Sequence, residues 1–411
     1  MANPWQNTEQ VLQAFIDEKF LVGCGLQIYQ NGEKIFDRCQ GSSTADGKTP
    51  MTASTLLHLY SMTKNFTCAG AMTLYEKGLF DLDDPIAEYL PEFAHPAVCI
   101  SDDIRDVVPA ERPITIRQLF SMQSGLTYWT FPGLPHLGPV EEALTELVAE
   151  IGRKVQDGMP NTLEQFVKDI ASMPLCFQPG DHWRYGLSLT VIGRLCEVLS
   201  GMTIGEFLRK TIWEPLGMTN SCFSTALKGD EAVAELMIDA ACGVAAGKNP
   251  PKEAYPAGRT DVFGYRGSFL QGPDFGIELP CGGMISTMDD MSRLFAMFAG
   301  KGQLNDVRIL KEETIDLMRT NQLSAHNLRE FAQDANKGFG YGLGYRVFRD
   351  AEEAGFSLPK GSFGWDGAAG CYGIASPETG ISFVFIEQSI PHHIVQTIPR
   401  IVRAVNADLR S

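Results

Sequence analysis

Between Lys64 and Glu76 the chain carries no charged side chain. Phe66, Cys68, Ala69, Gly70, Ala71, Met72 and Leu74 leave this stretch apolar nearly all round, as in a helix inside a core. Gly78, after Lys77, is its natural stop. Earlier in the chain, residues 20–30 and 33–40 are apolar, β-rich runs around Asn31-Gly32, which predicts a hairpin. Toward the other end, residues 341–348, 361–365, 370–376 and 381–387 read as strands, and 390–409 as a closing helix. Helical patterns fill the middle, at 114–120, 141–151, 163–171, 189–199 and 204–213. A further helix runs to Phe298 after Thr287, with Asp290 in the helix-start position. Residues 99–113, with several charges and prolines, read as a loop, and 230–274 as irregular structure over the pocket.

Strands at both ends and helices between them predict an α+β fold. One antiparallel sheet, flanked by helices, is expected to take its strands from both ends. Residues 1–90 and 275–411 then make one discontinuous α/β lobe. Residues 91–274 make a mainly helical lobe with pocket-rim loops, the site lying between the two. A hydrophobic content of 44% with 20% charged residues is that of a globular chain. The net charge of −16 argues against nucleic acid and against an anionic membrane surface as partners. No apolar run approaches the roughly 18 residues that span a bilayer, and the first ten residues lack a signal-peptide pattern. Ten scattered cysteines without a C-x-x-C pair point to plain core thiols in a cytoplasmic protein, not to zinc or redox work. A homo-oligomer is left open.

The uncharged helix gives Lys64 its interest. A buried ammonium is costly unless it is paired or neutral. Ser61 lies three residues earlier, one turn away on the same face. A serine beside a desolvated lysine forms a nucleophile with its base, and S-x-x-K is the nucleophile signature of penicillin-binding proteins and class A β-lactamases. No G-x-S-x-G is present, which argues against an α/β-hydrolase. No H-E-x-x-H or clustered His/Cys set supports a metal, and no cofactor is expected. The loop from Thr127 to Pro139 concentrates Tyr128, Trp129, Phe131 and His136, which suggests a pocket rim, although ordinary loop anchoring suits the aromatics equally well.

Further motifs stand in order along the chain. They are Leu82-Asp83-Asp84-Pro85 with Tyr89-Leu90-Pro91, Ile116-Arg117-Gln118-Leu119 with Ser124-Gly125, Gly282-Gly283 with Ser286-Thr287, and Tyr341-Gly342-Leu343-Gly344. With Ser61-Met62-Thr63-Lys64 they resemble the serine β-lactamase and DD-peptidase superfamily, closest to class C β-lactamases and the family VIII carboxylesterases. The resemblance runs from about Phe20 to Glu387 and implies a β-lactamase/transpeptidase-like fold. Where the family has Y-x-N, this chain has Tyr185-Gly186-Leu187. Where it has K-T-G or H-x-G, this chain has Trp365-Asp366-Gly367, followed by Ala368. The resemblance implies that Tyr185 moves the proton with help from Lys64. It also implies that the Ser61 and Ala368 N–H groups hold the oxyanion, and that Gly367 lets substrate approach the backbone while Trp365 lines the pocket.

The departures bear on substrate. Leu187 and Trp365 replace an asparagine and a lysine that, in β-lactamases, contact the acylamide and the substrate carboxylate. An apolar pocket of this kind suits carboxylic esters and disfavours cephalosporins. The reading is a serine hydrolase acting on a small-molecule ester through an acyl-enzyme. An acyltransferase on the same scaffold runs through the same intermediate and stays open. So do a β-lactamase or D-amino-acid peptidase and a non-catalytic scaffold that kept the fold.

Overall fold

A computed structural model of the chain describes residues 3–129, 138–226, 233–238, 253–255, 276–390 and 392–411. Phe131, His136 and nearly all of the stretch read as irregular, 230–274, lie outside the described residues. The Asn31-Gly32 turn forms with both residues at positive φ, 51° and 82°, which matches the twist of the strands it joins. These are β1 (Gly23–Gln30) and β2 (Glu33–Gly41). Five further strands follow late in the chain: β3 (Phe339–Tyr341), β4 (Arg346–Phe348), β5 (Phe363–Asp366), β6 (Tyr372–Ser376) and β7 (Ile381–Ile386). The seven pair in the order β3-β4-β5-β6-β7-β1-β2, antiparallel throughout. The expected sheet of N-terminal hairpin and C-terminal strands is therefore present, joined where β1 runs beside β7 from Gly25↔Ile386 to Gln30↔Ile381.

Alternation along β1 sets the layers. On one face, Phe385 meets Phe15 of helix α1 (Gln6–Asp17) at 6.4 Å between rings, and α1 packs on the C-terminal helix α8 (Ile394–Asp408). Asp408 accepts from Thr8 N at 2.8 Å and Thr8 Oγ1 at 2.6 Å, capping the first turn of α1. On the other face lies α7 (Met288–Ala299), whose Asp289 accepts from Gln27 Nε2 at 2.6 Å. Phe295 of α7 sits on Gly373, where a Cβ would come within 2.2 Å of the ring. Thr287 caps α7 by accepting from Asp290 N, a contact typically worth about 1 kcal/mol.

Helix α2 (Thr63–Glu76), with every residue from Thr63 to Leu74 buried, reaches the sheet at β5. It packs on α6 (Ser188–Ser200), which ends at left-handed Gly201. The middle of the chain also supplies α3 (Ile116–Phe120), closed by a Thr115/Gln118 capping box, α4 (Pro139–Gln156) and α5 (Leu163–Ala171).

Several expectations need correction. Residues 341–348 are not one strand: Gly342-Leu343-Gly344 turns the chain between β3 and β4, with Gly344 at φ +88°. The stretch read as a loop, 99–113, starts at the end of one short strand, Ala97–Cys99, and holds its antiparallel partner, Val107–Pro109. The helix read over 204–213 loosens partway, an α segment Ile204–Leu208 passing into a π turn Arg209–Trp213. The last helix starts at Ile394, not at 390, because Ser389 and Ile390 pair as a strand with Met237 and Ile238. Helix α1 is absent from the sequence reading because its first residues are polar and its cap comes from the far end of the chain. Among the described residues no helix is long and apolar enough to cross a membrane.

Candidate active site

Ser61 stands in a 3-10 turn, Tyr60–Met62, immediately before α2. Tyr60 holds φ at 46°, an unusual conformation for a bulky residue and a local strain directly ahead of the serine. Ser61 is partly exposed, whereas Lys64 is fully buried. Lys64 Nζ donates to Ser61 Oγ at 3.0 Å and to the Cys281 carbonyl at 2.6 Å. Among the described residues no carboxylate pairs with it. The buried amine is satisfied by a hydroxyl and a backbone carbonyl.

The carbonyl is placed by the same helix. Thr67 Oγ1 donates to the Pro280 carbonyl at 2.7 Å, and Thr63 Oγ1 accepts from Met284 N at 3.2 Å. Thr63, Lys64 and Thr67 lie on one side of α2, so three polar side chains of a buried helix grip one segment, 280–284. Gly193 of α6 completes the seat: a Cβ there would lie 2.2 Å from Pro280 Cγ. The Gly282-Gly283 motif therefore follows directly on the residue that holds the lysine.

Tyr185 opens the approach to α6 and is partly exposed. Its ring lies 4.8 Å from Lys64 Nζ, and its hydroxyl oxygen accepts from Trp365 Nε1 at 3.0 Å. Rings surround it: Trp365 at 5.3 Å, Tyr128 at 5.5 Å and Trp183, stacked, at 6.3 Å. Burial pushes the phenols of Tyr128 and Tyr341 above their ordinary values, which leaves both as neutral walls. His58, behind Tyr60, does not supply a base either, since burial pushes its pKa down to about 4 and its ring stays neutral.

Trp365 is held from behind. Arg346, itself buried, places its guanidinium 4.7 Å from the indole and pairs with Asp366. Tyr341 meets the indole edge-on at 5.4 Å. Gly367 passes so close to the serine turn that a Cβ would come within 2.1 Å of the Leu59 carbonyl. The same Cβ position lies 3.5 Å from Met62 N, and the residue that follows, Ala368, is partly exposed, as Ser61 is. Among the described residues neither of their two amide N–H groups has a hydrogen-bond partner.

The structure thus gathers Ser61, Lys64, Tyr185, Tyr128, Trp365 and Gly367, with Ala368 at the edge. Leu187 is fully buried at the N-terminus of α6, and Trp129 is nearly so, its neighbour Tyr128 lying edge-on at 5.3 Å. Sequence reasoning missed the Cys281 carbonyl, Trp183 and Arg346. Only the first had a signal, its place before the glycine pair.

A family model, Beta-lactamase, matches residues 8–392. Esterase EstB of Burkholderia gladioli is 27% identical over 384 residues, covering 92% of this chain and 88% of its own. Acyltransferase calJ of Penicillium decumbens is 28% identical over 396 residues, covering 92% and 85%. Among solved structures, EstCE1, a hydrolase with promiscuous acyltransferase activity, superposes with a TM-score of 0.76 at 26% identity, covering 97% of each chain. A match over nearly the whole chain and a fold shared end to end identify this protein as a member of the beta-lactamase family, a serine hydrolase built on that fold.

Proposed function

We propose that the protein cleaves carboxylic esters through an acyl-enzyme on Ser61, Lys64 and Tyr185. The observation that carries this reading is the Lys64 amine, buried and aimed at Ser61 Oγ while the Cys281 carbonyl fixes it from the other side. Lys64 and Tyr185 together take the Ser61 proton as Oγ bonds to the ester carbonyl carbon. The negative charge on the carbonyl oxygen then falls to the N–H groups of Ser61 and Ala368. Collapse expels the alcohol, which leaves with the proton. Water adds to the acyl-serine by the same route, and the acid departs. The two-part division of the chain belongs to this proposal. Ser61, Lys64, Trp365 and Ala368 come from residues 1–90 and 275–411, Tyr185 from 91–274, and the ester binds where the parts meet.

The names of calJ and EstCE1 favour a second reading in which an alcohol, not water, takes the acyl group. One experiment addresses both. A p-nitrophenyl ester is supplied with and without a primary alcohol, and intact mass follows the protein. A single acyl adduct lost on Ser61→Ala supports the mechanism. Transester outrunning acid identifies a transferase, and turnover without any adduct overturns the acyl-enzyme.

Ala368→Pro tests the second oxyanion donor, since proline has no N–H. A folded variant should lose about 10²–10³ in kcat, whereas Ala368→Gly keeps the N–H and most of the activity. Near-normal kcat in Ala368→Pro would place the donor elsewhere. Trp365→Phe keeps an aromatic wall but removes the N–H that reaches Tyr185 Oη. A neutral hydrogen bond of this kind is worth about 0.5–1.5 kcal/mol, so kcat should fall up to about tenfold, with KM for small esters little changed. An unchanged kcat would show that the indole only fills space.

A further inference from the structure

We propose that His182, His326 and Glu330 form a binding site for a divalent transition metal of the zinc type, on the outer side of the loop that leads to Tyr185. Two elements distant in sequence supply it. His326 and Glu330 are four apart on the helix Ala325–Phe331 and share one face. His182 comes from the loop three residues before Tyr185. The three ligand atoms already converge. His182 Nδ1 lies 2.6 Å from Glu330 Oε1, and His326 Nε2 lies 3.4 Å from each of them. Zinc held at about 2.0–2.1 Å by nitrogen and oxygen needs ligand atoms about 3.3–3.4 Å apart in a tetrahedron. Two edges of the triangle have that length. The third is a hydrogen bond that opens when the metal replaces its proton.

Hydrogen bonding alone accounts poorly for the arrangement. The N–H of each imidazole can reach the shared oxygen Glu330 Oε1, but the two ring nitrogens then face each other at 3.4 Å, and neither can donate to the other without leaving the carboxylate. A cation would satisfy all three atoms at once. Two imidazoles and a carboxylate suit zinc and its neighbours rather than magnesium or calcium. Among the described residues this is the only set of His, Cys, Asp and Glu whose ligand atoms lie so close together. Both histidines are exposed, so solvent can fill a fourth position.

The frame is fixed in advance. Asn327, almost fully buried, donates to the Gly180 carbonyl at 3.1 Å and to Gln123 Oε1 at 2.7 Å, which ties the helix to the loop. Phe177 meets the His182 ring edge-on at 5.3 Å. The other carboxylate oxygen, Glu330 Oε2, accepts from Trp183 N at 2.9 Å and stays there when Oε1 binds metal. Trp183 stacks on Tyr185, so an occupied site would stiffen the backbone that carries this ring.

The test uses the full chain without an affinity tag, stripped with a chelator and titrated with zinc at pH 7.5 by calorimetry. One equivalent should bind with a micromolar Kd, and the melting temperature should rise by several degrees. Cobalt in its place should give the intense visible bands of a four-coordinate ion. His326→Ala and Glu330→Gln, both surface changes, should each weaken zinc at least tenfold, whereas His95→Ala should not. No stoichiometric zinc binding, or binding that His326→Ala leaves unchanged, would overturn the proposal. This outcome is independent of ester turnover, which is not assigned to the metal.

Discussion

Ser61→Ala is expected to remove ester turnover, with kcat falling by about 10⁴-fold or more, the scale on which nucleophile losses are felt. Labelling by a fluorophosphonate should disappear with it. The fold should survive. The Ser61 hydroxyl hydrogen-bonds only to Lys64 among the described residues, and Lys64 keeps the Cys281 carbonyl as a partner after the change. The turn itself is set by Tyr60 and by the Met62 N–H on the Leu59 carbonyl, both backbone features. Circular dichroism and a thermal melt should match the parent. A folded Ser61→Ala protein that still turns over esters would remove the serine from the mechanism.

The second large effect concerns the proton. Lys64→Met and Tyr185→Phe should each lower kcat by about 10³-fold or more, and the double variant should be little worse than either. Methionine is the better probe at 64. It keeps most of the buried volume, whereas alanine would add a cavity worth about 2–5 kcal/mol of stability. Even so, Lys64→Met leaves the Cys281 carbonyl without its donor, so a lower melting temperature is expected alongside the kinetic loss. Tyr185→Phe should melt nearly as the parent does, because it loses only the bond from Trp365. If the two losses multiply, Lys64 and Tyr185 do not act on one proton path.

Much of this was legible in the sequence because it rested on local chemistry. The Asn31-Gly32 turn, the stops at Gly78 and Gly201 and the Thr287 cap are each decided by one or two residues. The S-x-x-K pair was legible because helical geometry alone brings Ser61 and Lys64 together. What was hidden depended on remote parts of the chain. Helix α1 takes its cap from Asp408, about 400 residues away, and its polar start looks like a tail. Lys64 is satisfied by a backbone carbonyl, which no residue type announces. Gly342 and Gly344 looked compatible with one strand until tertiary packing bent the chain there, Gly344 lying against Cys68 of α2. The ribbon of Ala97–Cys99 and Val107–Pro109 was hidden by the charges and prolines around it.

The Lys64–Cys281 hydrogen bond joins residues 217 apart in sequence. Chains are made from the N-terminus, so the serine and its lysine leave the ribosome long before the carbonyl that holds the amine. Tyr185 follows, then Cys281, and strand β5 with Trp365, and Ala368 just beyond it, emerges later still. Strand β1 waits longer still for its neighbour β7. Such distant pairings form late and slowly. A chain that ends before residue 281 carries Ser61 and Lys64 without the carbonyl that accepts from the amine. On the proposed mechanism, acylation of Ser61 would therefore require the chain at least as far as the carbonyl that fixes Lys64.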